Sequence, residues 1–253
     1  MSELLHVEDL RRSFGGVHAV DGISFGVEAG TTTGLIGPNG AGKSTALGMI
    51  AGAIRPSGGS IVFDGRDVTG SSPMRVARSG LIRTFQISSE FQQLTVLENL
   101  LVGAPGHVGE SLVGSLLLGP RSWRGQEQEL VERARELLVR FEMHEKEEEY
   151  AGNLSGGQKR LLEIMRALMA KPKLLLLDEP MAGVNPTLGR RIEGHLEALR
   201  DEGLTMLMVE HELGVVERLC QRVVVMAQGK VISEGTMETV RKDKEVLSAY
   251  LVG

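Results

Sequence analysis

Gly37-Pro38-Asn39-Gly40-Ala41-Gly42-Lys43-Ser44-Thr45 decides how the rest of the chain is read. An apolar run, Thr33-Gly34-Leu35-Ile36, leads into it and predicts a short buried strand. Ala46-Leu47-Gly48-Met49-Ile50-Ala51 leads out of it and predicts a helix. Between a strand and a helix, G-x-x-x-x-G-K-[ST] is a phosphate cradle. Glycines let the backbone curl so that successive N–H groups point inward at an anion, and the helix adds the positive end of its dipole. Lys43 supplies a mobile charge for the β- and γ-phosphates, the Ser44 hydroxyl is a ligand for Mg²⁺, and Thr45 can donate to the α-phosphate.

The 253 residues suffice for one large domain, or one domain with an inserted lobe. An apolar fraction of 42% is ample for a core, and with only 4% aromatics Leu, Val and Met must fill it. A net charge of −5 without a basic block argues against a nucleic-acid partner. The lone Cys220 forms no internal disulfide and suits the cytosol. The N-terminus lacks a charged-then-apolar leader, and no apolar run approaches the ~20 residues a membrane helix needs, so the expectation is a soluble chain that meets a membrane only through partners.

The first thirty residues, with Leu4–Val7 and Val17–Val27 broken by Gly15-Gly16 and Asp21-Gly22, predict antiparallel hairpin strands, joined by Ser60-Ile61-Val62-Phe63 and its Asp64-Gly65 turn. Phe14 lies between strands, either as core or as a ring that stacks on a base. Residues 72–84 and 93–102 read as short helices flanking Arg83-Thr84-Phe85-Gln86. The stretch 103–126 is irregular, with an apolar piece at Leu112–Leu118 that suits a peripheral helix or docking surface. Leu130, Ala134, Leu137, Leu138 and Phe141 form a helical stripe over 127–143.

Asn153-Leu154-Ser155-Gly156-Gly157-Gln158 places a second glycine pair at a helix start, but without a lysine it is half an anion site or a plain N-cap. The four leucines Leu174–Leu177 predict a strand buried on both faces, ending in Asp178-Glu179. Carboxylates there stand where open α/β sheets bind ligands: Asp178 suits Mg²⁺ and Glu179 suits a base for an attacking water. Asn185-Pro186 predicts a helix start and Gly203 its end. Thr205–Val209 predicts the next strand, with Glu210-His211 at its C-terminal end and His211 as a γ-phosphate partner. The other histidines (His6, His18, His107, His144, His195) have no such context. Val223–Met226 and Val231–Ser233 predict a hairpin before a C-terminal helix.

The ordered set of phosphate loop, Phe85-Gln86, Leu154–Gln158, Leu174–Glu179 and His211 resembles the nucleotide-binding subunit of ABC transporters across essentially the whole chain. The resemblance implies an α/β P-loop NTPase with a RecA-like core sheet, an N-terminal antiparallel β subdomain and an inserted α-helical signature subdomain. It divides the chain into a catalytic core with the β subdomain (1–86 and 166–235), a helical subdomain (87–165) and a helical tail (236–253). It further implies ATP and Mg²⁺ held between two head-to-tail copies. Gly37, Pro38, Asn39, Gly40, Ala41, Gly42, Lys43, Ser44 and Thr45 of one copy would then face Ser155, Gly156, Gly157 and Gln158 of the other. By the same resemblance Phe14 would stack on adenine, Gln86 would sense Mg²⁺ and the attacking water, Glu179 would act as base and His211 would hold the γ-phosphate. The 84–103 segment would form the groove for a membrane subunit's coupling helix, with two permeases and a substrate-binding protein completing the transporter and the chain lying on the cytoplasmic face of the membrane.

Arg83–Gln86, Leu94-Thr95-Val96-Leu97-Glu98-Asn99-Leu100, Glu179–Pro186 and the Gly229–Gly235 tail are similar to the ATPases of branched-chain amino acid importers. A urea or amide transporter, or a soluble non-transport ABC ATPase, is the alternative. The chain departs from the wider family in carrying Phe14 for tyrosine and Ala182-Gly183-Val184-Asn185 for Ser-Ala-Leu-Asp, and from that branch in lacking a tyrosine within Leu154–Gln158.

Overall fold

The computed structural model describes residues 3–84, 89–104 and 120–251. They fall into two compact units, Met1–Thr84 with Pro172–Ala182 and Gly189–Gly253, and Phe85–Lys171 with Gly183–Leu188.

The first unit contains both sheets. Strand β1 (Glu3–Phe14) turns at Gly15 into β2 (Val17–Glu28), and β4 (Gly58–Phe63) and β5 (Arg66–Asp67) complete an antiparallel sheet in the order β2-β1-β4-β5. Alternation sends Leu5, Val7 and Leu10 inward. A bulge at Asp9, with φ of 46°, restores the inward phase between Val7 and Leu10, so β1 continues well past the Leu4–Val7 piece expected from sequence.

The second sheet runs β10-β9-β3-β8-β7-β6, built from β3 (Thr32–Ile36), β6 (Leu81–Arg83), β7 (Leu174–Asp178), β8 (Thr205–Val209), β9 (Arg222–Ala227) and β10 (Lys230–Gly235). Strands β9, β3, β8, β7 and β6 are mutually parallel, and β10 closes the edge antiparallel to β9. Leu174–Leu177 are fully buried, as a strand covered on both faces requires. Because β3, β8, β7 and β6 are adjacent and parallel, the loops leaving their C-terminal ends share one edge of the sheet.

Strand β6 corrects the helix expected over 72–84. Helix α2 (Pro73–Arg78) stops early, and Gly80, at φ 100°, turns the chain into an extended Leu-Ile-Arg that pairs with β7. An available strand edge outweighed local helix preference. The C-terminal helix is likewise two helices, whose ranges are Met237–Arg241 and Lys244–Leu251, with the Asp243 carboxylate accepting from the Glu245 amide between them.

The second unit is helical. Helix α3 (Val96–Val102) is capped reciprocally by Thr95 and Glu98, and it packs against α4 (Pro120–Arg140) and α5 (Gly156–Met169); Val96, Leu100, Ala134, Leu138, Leu161 and Met165 of these helices are buried. Helix α4 thus begins several residues before the predicted stripe. Leu112–Leu118 and Gln86 lie outside the described residues. Helix α6 (Pro186–Asp201), which belongs to the first unit from Gly189 on, starts where the Asn185 side chain accepts from the Leu188 amide at 3.0 Å, and it gives way to Gly203 at φ 97°. In the first unit, α7 (Leu213–Leu219) follows β8.

Candidate active site

The phosphate loop joins β3 to helix α1 (Lys43–Ile50). Its shape puts three glycines, Gly37, Gly40 and Gly42, at positive φ, and at two of them a side chain has no room. Gly37 sits at φ 146°, where a side chain would strike the Met226 carbonyl oxygen, and Gly42 sits at φ 99° against the Ala19 carbonyl oxygen. Gly42 is also the N-cap of α1. It provides no side-chain cap, and the first turn carries no acidic residue, so the helix keeps its free N–H groups and positive end for an anion.

Lys43 is 6% exposed, and its ammonium donates to the Gly37 and Pro38 carbonyls at 2.8 and 2.9 Å. Burial pulls its pKa below the ordinary lysine value, while the charges of Glu179 and Asp178 work against that shift. Residues 39–45 line a cavity of about 230 Å³ together with Ala19, Glu179 and His211. That volume is below the ~300 Å³ at which small-molecule pockets usually begin.

Strand β7 delivers the carboxylates. Asp178 is held by Arg83 of β6, whose guanidinium donates to Oδ2 at 2.6 Å. Glu179 has φ 49°, the left-handed region that β-carbon-bearing residues seldom occupy, and its amide donates to the Val209 carbonyl at 2.9 Å. Strand β8 ends alongside and brings His211 in, so that its Nε2 lies 2.6 Å from Glu179 Oε1. Between Val209 and His211, Glu210 is 4% exposed. Its Oε1 accepts from the Met181 amide at 2.9 Å and its Oε2 from the His211 amide at 3.1 Å. Burial raises its pKa, opposed by those two hydrogen bonds.

The structure therefore gathers the residues 39–45, Glu179 and His211 around one cavity, with Gly37 and Pro38 anchoring Lys43, and Asp178 at the end of β7 acting on Lys43 by its charge. Phe14 ends β1 at 47% exposure with the Arg12 guanidinium 4.7 Å from its ring centre, and it is not among the residues lining the cavity. Ser155 belongs to the second unit as N-cap of α5. Its hydroxyl accepts from the Gln158 amide at 3.3 Å while Gln158 Oε1 accepts from the Ser155 amide at 2.9 Å. A side chain at Gly157 would displace the Leu188 side chain, which packs into that space. Sequence reasoning passed over Ala19, Arg83 and Glu210. A charged residue directly after an apolar strand was the visible signal for Glu210.

Among the described residues no three His, Cys, Asp or Glu side chains gather as a metal cage. Ser44 on the cavity wall and Asp178, whose charge acts on Lys43, are hard oxygen donors, a set that fits a cation completing its shell with phosphate oxygens and water.

Residues 20–182 match the family described as ABC transporter. The chain is 39% identical over 249 residues to the probable branched-chain amino acid transport ATP-binding protein LivG of Archaeoglobus fulgidus, covering 98% of this chain and 95% of that one. It is 37% identical to the high-affinity branched-chain amino acid transport ATP-binding protein BraF of Pseudomonas aeruginosa, covering 98% and 97%. Among solved structures, a nucleotide-free ATP-binding cassette from an ABC transporter superposes with TM-score 0.86 at 38% identity, covering 98% of this chain and 99% of that one. An ADP-bound cassette of an ABC transporter gives 0.85 at 35%, covering all of both chains. With the phosphate loop, the carboxylate strand and His211 assembled on a cassette fold, the chain belongs to the ABC transporter family and is an ATP-binding cassette ATPase.

Proposed function

We propose that this cassette hydrolyses ATP to drive import of branched-chain amino acids, the cargo carried in its relatives' names. The observation that carries the chemistry is the 2.6 Å pair of Glu179 and His211 on the wall of the phosphate-loop cavity. Loop amides and Lys43 hold the triphosphate, and Phe14 stacks on adenine. Ser44 and Asp178 would hold Mg²⁺, with Gln86 near it, and the bound ion would neutralise charge developing on the phosphates. His211 swings its Nε2 from Glu179 to a γ-phosphate oxygen. Freed of that contact, the Glu179 carboxylate takes a proton from water as the water oxygen bonds to the γ-phosphorus. The bond to the β-phosphate oxygen breaks with its electron pair leaving on ADP.

The small single-chain cavity supports a head-to-tail dimer in which Ser155–Gln158 of a second copy close over the γ-phosphate. Residues 87–165 then serve as the signature-bearing helical subdomain, and the 84–103 segment of each copy takes the coupling helix of one of two permeases, which a substrate-binding protein serves. No helix among the described residues is long and apolar enough to cross a membrane, in keeping with a peripheral place on the cytoplasmic face. Glu179→Gln tests the reading. Steady-state turnover falls ~10²–10⁴-fold, the range for loss of a general base, while ATP still binds and traps the dimer. Full turnover in this variant overturns the assignment.

A further inference from the structure

We infer that Glu210 is a positioning residue that sets the geometry of Glu179 and His211, an inference that rests on the roles proposed above for those two side chains. The parallel ladder between β7 and β8 reaches its last pair at Asp178 and Val209, and the Glu179 amide makes one further bond to the Val209 carbonyl. Past that point the two chains have become loops, and no backbone pairing holds the Glu179-Pro180-Met181 turn beside His211. Glu210 supplies the missing rungs from its side chain. One carboxylate oxygen takes the amide two residues beyond Glu179, and the other takes the amide of His211 itself.

Three features make this more than a satisfied buried group. Both oxygens are committed, each to a backbone amide on a different catalytic loop. The carboxylate is nearly sealed from water, where hydrogen bonds to a charge are strongest and its loss is most felt. Glu179 holds a left-handed conformation that a non-glycine residue keeps only when its surroundings over-determine it. A misplacement of about 1 Å between a base and its target can cost ~10²-fold in rate. A clamp across the two loops therefore acts on turnover rather than on nucleotide affinity, which rests on the phosphate loop.

The test measures saturating turnover and, separately, affinity for a fluorescent ATP analogue in the full-length chain. Glu210→Gln is isosteric and keeps one acceptor while turning an amide NH₂ toward the other N–H; Glu210→Ala removes both. The expected result is turnover lowered ~10-fold in the Gln variant and ~100-fold in the Ala variant, with affinity within about twofold of the parent chain. The ¹H–¹⁵N signals of Met181 and His211 shift in both variants while those of residues 39–45 do not. Should the Ala variant fail to fold, the Gln variant carries the test. Unaltered turnover in Glu210→Gln, or an affinity loss equal to the turnover loss, overturns the inference. Glu179→Gln, assayed in parallel, separates the two failures. An inactive Glu179→Gln beside a fully active Glu210→Gln removes the clamp alone, whereas an active Glu179→Gln removes the reading beneath it.

Discussion

The N-termini of α1 and α5 share a glycine-rich approach and differ in what happens to their first-turn amides. At α1 the N-cap is Gly42, no side chain caps the turn, and Lys43 adds a buried positive charge. At α5 the N-cap is Ser155, and Ser155 and Gln158 satisfy each other's backbone N–H groups. Their glycines answer to different constraints as well. Gly42 needs its left-handed backbone, whereas Gly157 makes room for Leu188. An uncapped helix start with a lysine is built to grip an anion alone. A capped start has spent part of that capacity on itself and keeps only its remaining N–H groups and hydroxyl for a supporting contact.

Lys43→Ala is the strongest way to break this contrast among changes at the two helix starts. Losing a charge-assisted contact to phosphate costs about 1.5–3 kcal/mol, or ~10–150-fold in ATP affinity, readable by titration calorimetry on dilute protein. Undiminished affinity would put the anion grip elsewhere. Ser155→Ala sharpens the contrast from the other side. Loss of the cap lowers stability by about 1 kcal/mol in a denaturant titration, and ATP affinity of the dilute chain stays at the parent value while turnover of the concentrated protein falls. An affinity loss matching that of Lys43→Ala would make the two helix starts equivalent.

The smallest effect is electrostatic and separates the buried site from the capped terminus. Burial raises the Glu210 carboxyl above its ordinary 4.5, so at low pH folded and unfolded chains both hold its proton. As pH rises past 4.5 the unfolded chain releases that proton first, so stability from this group falls until the pH passes the raised folded value, then stays level. The stability difference between Glu210→Gln and the parent chain therefore grows across that window. The difference between Ser155→Ala and the parent stays flat over the same range, since no titrating group is altered there.

Much of the site was legible because its parts are local. Gly37–Thr45 declares a cradle through its own backbone requirements, Leu174–Leu177 followed by Asp178-Glu179 declares a buried strand ending in carboxylates, and Asn185-Pro186 declares a helix start. Each depends on residues within a few positions, so residue type and spacing carry the information. Strand β6 was missed because Leu81–Arg83 takes its structure from the edge of β7, which pairs with it from far along the chain. Arg83 meets Asp178 across 95 residues, and Glu210 meets Met181 across 29. The amino-acid order by itself determined which chemistry the chain holds. Only the packing of parallel strands decided which buried charge binds which amide, because a hydrogen bond's partner is chosen by distance in space and not by distance along the chain.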